Sequence, residues 1–187
     1  MSSDRWKESD EGADPLQVRS LRLTGVFVAV VLAGLVGAWI FNTEDPDTAT
    51  VGHSAPDFEV ENIVRGEPIA LRDLLADDDR PIVINLMASW CGPCRAEIPE
   101  LSAFSDANPG VIVLGVAVED RYEDFKQFVA EVQPTYTVGF DEGDMREVYP
   151  TLGLPATFFL DSDGVVVDVF NGILDQELLE EMVDGLS

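Results

Sequence analysis

The chain is poor in the residues that most often hold small proteins together or bind metals. Two cysteines and one histidine occur among 187 residues, and 11 Lys and Arg stand against 36 Asp and Glu. Two cysteines cannot form a disulfide framework, and a bridge between Cys91 and Cys94 closes too short a loop to constrain the unfolded chain much. Zinc needs three or four side-chain ligands. Beyond the two thiols the chain offers only His53, in the tether before the folded part, so neither a metal centre nor another cofactor is expected. The formal net charge of −25 argues against nucleic acid and anionic lipid as partners of the soluble part and favours basic ones. A solvated acidic surface accounts for the same composition. There is no internal repeat.

What the chain does have is a hydrophobic fraction of 46%, enough to build a core, and one long apolar run. Residues 1–22 are mostly polar and charged without apolar periodicity, which reads as a cytoplasmic disordered tail. Leu23 to Phe41 is a stretch of 19 residues without a charge, close to the roughly 20 that cross a bilayer. Arg5, Lys7, Arg19 and Arg22 precede it, and the 20 residues after it contain no Lys or Arg. The positive-inside rule therefore predicts a transmembrane anchor with the N-terminus in the cytoplasm and the large C-terminal part outside. A cleaved signal peptide is the rival reading, because Val36-Gly37-Ala38 resembles a cleavage site; the length of the run and of its leader favour the anchor. Either way the folded part is exported. Residues 42–50 read as a linker and 51–187 as one domain.

Within that domain the apolar pattern predicts a short strand near Phe58 to Val60, a hairpin at Arg65-Gly66 and a buried strand over "PIVINLM", Pro81 to Met87. A helix from Pro93, a strand over Val111 to Val118 and a helix through Phe125, Phe128 and Val132 follow. A weak strand near Thr137 to Phe140, a short helix near Met145 to Tyr149, an antiparallel pair turning at Asp161 to Gly164 and a closing amphipathic helix complete the order. This is an α/β arrangement with a mixed central sheet flanked by helices.

The two cysteines stand in "NLMASWCGPCRAEIPEL", where a buried strand gives way to a helix. A helix N-terminus stabilises a thiolate through its dipole and free N–H groups, and Pro93 suits the first turn because it has no N–H to leave unpaired. Cys91, the outer residue, is the expected nucleophile and Cys94 the resolving thiol, with Trp90 shielding one side and leaving the Cys91 sulfur as the accessible edge. Gly92-Pro93 adds neither histidine nor charge to stabilise the thiolate further, which favours the reducing end of the scale.

Trp90-Cys91-Gly92-Pro93-Cys94 is identical to the thioredoxin active-site motif, and Val51 to Ser187 resembles the membrane-anchored TlpA/ResA-type thioredoxin-like proteins. The resemblance rests on "VGHSAPDFEVENI", "EPIALRDL", "WCGPCRAEIPEL", "GLPATFFLDSDG" and Asn171-Gly172, in that order. It departs at Leu86-Met87, where that group usually has Phe-Trp. The resemblance implies a thioredoxin-like fold in which Pro155 is a cis-proline beside the cysteine pair and the Leu154 backbone meets the substrate chain. It implies that Pro99 kinks the active-site helix. Glu97 matches a family acid that could exchange a proton with Cys94 or raise the Cys91 pKa, set against the plain alternative of a solvated helix glutamate. Asn85 stands where thioredoxin carries a buried acid, and an amide cannot take a proton there.

The activity so implied is an extracytoplasmic thiol–disulfide oxidoreductase that reduces protein disulfides such as the CxxCH cysteines of apocytochrome c, supplied with electrons by a CcdA/DsbD-type membrane protein. General oxidation or isomerisation of secreted proteins is one alternative. A peroxiredoxin-type peroxidase is another, since such chains share the "APDF" entrance; Ser89-Trp90-Cys91 lacks the threonine those enzymes place before their cysteine.

Overall fold

The computed structural model describes residues 48–186 apart from 78 and 144. The expected tail, the anchor and the linker as far as residue 47 lie outside the described residues. Among the described residues no helix is long and apolar enough to cross a membrane.

Strands β1 (Glu59–Asn62) and β2 (Pro68–Ala70) form the expected hairpin. Then come α1 (Leu71–Asp77), β3 (Ile82–Met87), α2 (Gly92–Ala107), β4 (Ile112–Ala117) and α3 (Tyr122–Val132). The chain continues through β5 (Thr137–Phe140), α4 (Met145–Val148), β6 (Ala156–Leu160), β7 (Val166–Asn171) and α5 (Gln176–Asp184). The seven strands make one sheet in the order β2-β1-β5-β4-β3-β6-β7. Strand β3 pairs parallel with β4 and antiparallel with β6, so the sheet is mixed and the strand leading into the cysteine motif is central.

All six residues of β3 and all five of β6 are buried. A strand covered on both faces reads as a continuous apolar run, and its side chains divide between two cores. On one face Val83, Met87, Val113, Ala117, Val138 and Phe159 pack with Ile98, Leu101 and Phe104 of α2, Phe125 and Phe128 of α3, and Leu179 of α5. On the other, Ile82, Ile84, Leu86, Leu114, Val116, Phe158 and Leu160 pack with Leu71 of α1 and Met145 of α4. The ring of Tyr149 meets Phe58 and Phe158 edge-on, with centroids 5.7 and 5.0 Å away, and its hydroxyl donates to the Pro56 carbonyl at 2.7 Å. Gly139 lets β5 approach β1, since a Cβ there would lie 2.4 Å from Val60 Cγ2.

Two details differ from the sequence reading. Helix α1 was not expected. His53, expected in a solvated tether, has an exposed side chain but lies in a segment paired to the sheet, where its carbonyl accepts from Val166 N at 2.9 Å. That docking begins upstream: Ala49 is buried, and its N–H donates to the Val148 carbonyl at 2.7 Å.

Candidate active site

Strand β3 delivers the chain to its C-terminal end, and Ala88 to Trp90 turn it into α2. Cys91 is the N-cap of that helix, with its sulfur accepting from Cys94 N at 3.1 Å, and Pro93 occupies the first turn. Cys91 and Cys94 are joined as a disulfide. Cys94 is fully buried and Cys91 is 4% exposed, so Cys91 is the more accessible sulfur, yet by less than the sequence implies. The reason is the cap itself, which turns the sulfur back onto the helix. Trp90, at 62%, Gly92 and Pro93 are the exposed members of the motif. Further along, Pro99 lies inside α2, as expected, and removes the N–H that would bond the carbonyl one turn earlier.

The turn before Cys91 is clamped by the loop after β4. Asp120 accepts from the Ser89 hydroxyl at 2.8 Å and also from the Ser89 N–H, while Trp90 Nε1 donates to the Glu119 carbonyl at 3.1 Å. Glu119 adopts a left-handed backbone with φ of 52°, which aims that carbonyl at the indole. Asp120→Ala should cost about 1–3 kcal/mol, because two donors in a partly buried turn lose their acceptor. Urea denaturation of the two proteins measures it.

The Leu154–Pro155 peptide bond is cis, as the resemblance implies. The Pro155 carbonyl accepts from Gly172 N at 3.0 Å, and Asn171 Oδ1 accepts from Leu152 N at 3.1 Å. Gly172, with φ of 141°, sits where a side chain is rarely tolerated. Thus the Asn171-Gly172 turn holds the proline loop on both sides. Among the described residues, no hydrogen bond engages the backbone of Leu154.

Glu97 is fully buried rather than solvated. Its Oε1 accepts from Asn85 Nδ2 at 2.6 Å and its Oε2 from Leu174 N at 3.1 Å. Asn85 Nδ2 also donates to Thr157 Oγ1 at 3.0 Å, and the two residues are register partners in β3 and β6. Burial pushes the Glu97 carboxyl up to about 7, although the Leu174 N–H and the Asn85 amide both pull it down. Burial and the same carboxylate hold the Tyr136 hydroxyl well above its usual range. An amide at position 85 suits either form of the acid: it offers Nδ2 to a carboxylate or Oδ1 to a carboxylic acid. Asn85 Oδ1 is buried without a hydrogen-bond partner among the described residues, and presenting it to a protonated Glu97 requires the amide to flip.

The fold therefore gathers Asn85, Trp90, Cys91, Gly92, Pro93, Cys94 and Glu97 around the start of α2. It leaves Leu154 and Pro155 on a loop tied down by Asn171 and Gly172. Sequence reasoning missed Thr157, Asp120 and Leu174. Only Thr157 carried a signal, as a lone polar residue in the buried run "ATFFL".

A cysteine pair linked across the first turn of a helix, on a thioredoxin-like mixed sheet, defines a thiol–disulfide oxidoreductase. The chain belongs to the AhpC/TSA family, which it matches over residues 51–169. It is similar to the thiol:disulfide interchange protein HelX of Rhodobacter capsulatus, with 31% identity over 164 residues that span 84% of this chain and 91% of HelX. The thiol-disulfide oxidoreductase ResA of Oceanobacillus iheyensis is 27% identical over 165 residues, 84% of each chain. Among solved structures, a putative thiol:disulfide interchange protein DsbE from Chlorobium tepidum superposes with a TM-score of 0.67 at 28% identity, covering 74% of this chain and 99% of its own.

Proposed function

We propose that this protein is an exported, membrane-anchored reductant of protein disulfides, with apocytochrome c as the leading substrate class and a CcdA/DsbD-type membrane protein as its electron donor. The observation that carries the reading is the Cys91–Cys94 pair at the N-terminus of α2 with Cys91 the more accessible sulfur. In the reduced protein, the Cys91 thiolate attacks one sulfur of the substrate disulfide. A Cys91–substrate bond forms, the substrate S–S bond breaks, and the departing thiolate takes a proton. Cys94 then gives up its proton and attacks Cys91; the Cys91–Cys94 bond forms and the second substrate thiol leaves. Two electrons have passed from the pair to the substrate, and the donor returns them.

Glu97 lies one turn beyond Cys94, and its carboxyl, pushed up to about 7, suits a group that takes and returns the Cys94 proton near neutrality. The unengaged backbone of Leu154 is available for strand-like pairing with the substrate chain. Export rests on the uncharged run at residues 23–41 and the basic residues before it. Against a peroxidase, the hydroxyl and N–H of Ser89 are both spent on Asp120.

The test is to express Cys94→Ala in the protein's own host and identify what stays covalently attached to Cys91. Cytochromes among the captives support the maturation role; a broad set of secreted proteins points to general disulfide handling. A reduction potential above about −180 mV would overturn the reducing direction.

A further inference from the structure

The polar groups around Glu97 leave one acceptor and one donor unspent. Both N–H groups of the Asn85 amide are engaged, one by Glu97 Oε1 at 2.6 Å and the other by Thr157 Oγ1 at 3.0 Å. Asn85 Oδ1 and the Tyr136 hydroxyl are the two buried side-chain polar atoms without a hydrogen-bond partner among the described residues. Asn85 has no exposed surface and Tyr136 is 7% exposed, so neither reaches bulk solvent. Buried polar atoms that the protein leaves unpaired are commonly met by an internal water.

The sheet sets both groups on one face and side by side. Asn85 in β3 is the register partner of Gly115 in β4, and neighbouring strands lie about 5 Å apart with partner side chains on the same face. A Cβ on Gly115 would lie 3.0 Å from Tyr136 Cε2, the ring carbon next to the one bearing the hydroxyl, and 2.6 Å from Met87 Cε. Glycine at 115 therefore opens the space beside Asn85 that the phenol end of Tyr136 fills. Tyr136 and Met87 belong to the core that contains Cys94 and Ile98. After burial, the Glu97 carboxylate is the next cause that holds the Tyr136 hydroxyl above its usual range. Other ionisable groups stand away from the acid. Strands β3, β4, β5 and β6 contain none, and on its own helix Cys91 and Cys94 are joined as a disulfide. Arg95, Lys126 and the acids of α3 and α5 are exposed, and Glu100 is half-buried on the next turn of α2.

We propose that Tyr136 is a positioning residue for Glu97: through one internal water its hydroxyl donates to Asn85 Oδ1 and so keeps the amide turned with Nδ2 on the carboxyl. The proposal rests on the oxidoreductase reading for the use to which the acid is put. A phenol is a better donor than acceptor, so it favours the orientation in which Oδ1 faces Tyr136 and opposes the flip that would offer Oδ1 to a protonated Glu97. Nδ2 then stabilises the carboxylate, and the acid gives up its proton more readily than burial alone would allow. Tyr136 acts through Asn85 and touches neither cysteine chemistry nor substrate.

The test titrates the oxidised full chain in detergent by NMR, with isotope-labelled glutamate carboxyls; the Glu97 resonance is the one missing from Glu97→Gln. Tyr136→Phe should raise its midpoint by about one pH unit, the scale of one buried hydrogen bond. Tyr136 replaced by 3-fluorotyrosine, whose phenol is the stronger donor, should lower it instead. Tyr149→Phe removes a buried hydroxyl from the opposite core, where it donates to the Pro56 carbonyl, and should leave the midpoint in place. An unmoved or lowered midpoint in Tyr136→Phe, a raised one in the fluorinated protein, or an equal shift in Tyr149→Phe would overturn the role of Tyr136. None of these readings needs turnover, so their failure leaves the oxidoreductase reading standing. That reading is probed separately by the pH profile of the resolving step in a single turnover, which Tyr136→Phe should displace by the same amount. A displaced titration with an unmoved rate profile would support Tyr136 as the positioning residue and remove Glu97 from transfer of the Cys94 proton.

Discussion

Cys91→Ser should leave the protein without turnover on any protein disulfide, and Cys94→Ala should stop the reaction half-way. In both variants multiple turnover falls by on the order of 10³-fold or more: Cys91→Ser lacks the attacking thiol, and in Cys94→Ala release of the mixed disulfide lacks the thiol held at high effective concentration beside it. The variants part company in a single turnover. Cys94→Ala retains the more accessible sulfur at the N-terminus of α2 and should accumulate a one-to-one covalent adduct, visible on a non-reducing gel and released by dithiothreitol. Cys91→Ser leaves Cys94, which has no exposed surface, and should form none. An adduct on Cys94 in the Cys91→Ser protein would reverse the assignment of the two thiols.

The second large effect belongs to Glu97. Its carboxyl is raised from 4.5 to about 7 in the folded protein, so between these values the folded chain holds a proton that the unfolded chain has released. Stability contributed by the protonated acid is therefore fully present below about pH 4.5 and is lost as pH rises through 7. At about 1.4 kcal/mol per pKa unit the loss is about 3 kcal/mol. Glu97→Gln cannot ionise, and repulsion among the other acids is common to both proteins. Urea denaturation at pH 4.5 and 7.5 should accordingly show the wild type losing about 3 kcal/mol more than the variant over that interval. Parallel slopes would show that ionisation of this residue is not coupled to folding. The same substitution should flatten the pH dependence of the resolving step around neutrality, if Glu97 handles the Cys94 proton.

The central strands were legible because burial on both faces writes them as unbroken apolar runs, as in "IVINLM" and "ATFFL". Helix α1 was not. It is only seven residues long, and Asp57, which accepts from Arg72 N at 3.0 Å, lies 15 residues upstream, beyond any local capping rule. The site divides in the same way. Cys91, Cys94 and Pro93 carry their chemistry in their spacing, so the sequence reaches them. Glu97 is ambiguous in sequence because a helix glutamate is ordinarily solvated; buried, it is met by Asn85 and Leu174, 12 and 77 positions away. Asp120 reaches Ser89 across 31 positions, and nothing in either segment announces the contact.

The Asn85–Thr157 pair has a consequence for the sheet as well as for the acid. These two polar side chains face each other across neighbouring strands that are otherwise apolar. Sliding β6 along β3 by a single residue would turn Thr157 into the opposite core, leave its hydroxyl without this partner and take one of the two acceptors from Asn85. The atoms that adjust the buried carboxylate thus also act as a register pin for the middle of the sheet. At these positions a substitution made to retune the chemistry also edits the instructions for strand pairing.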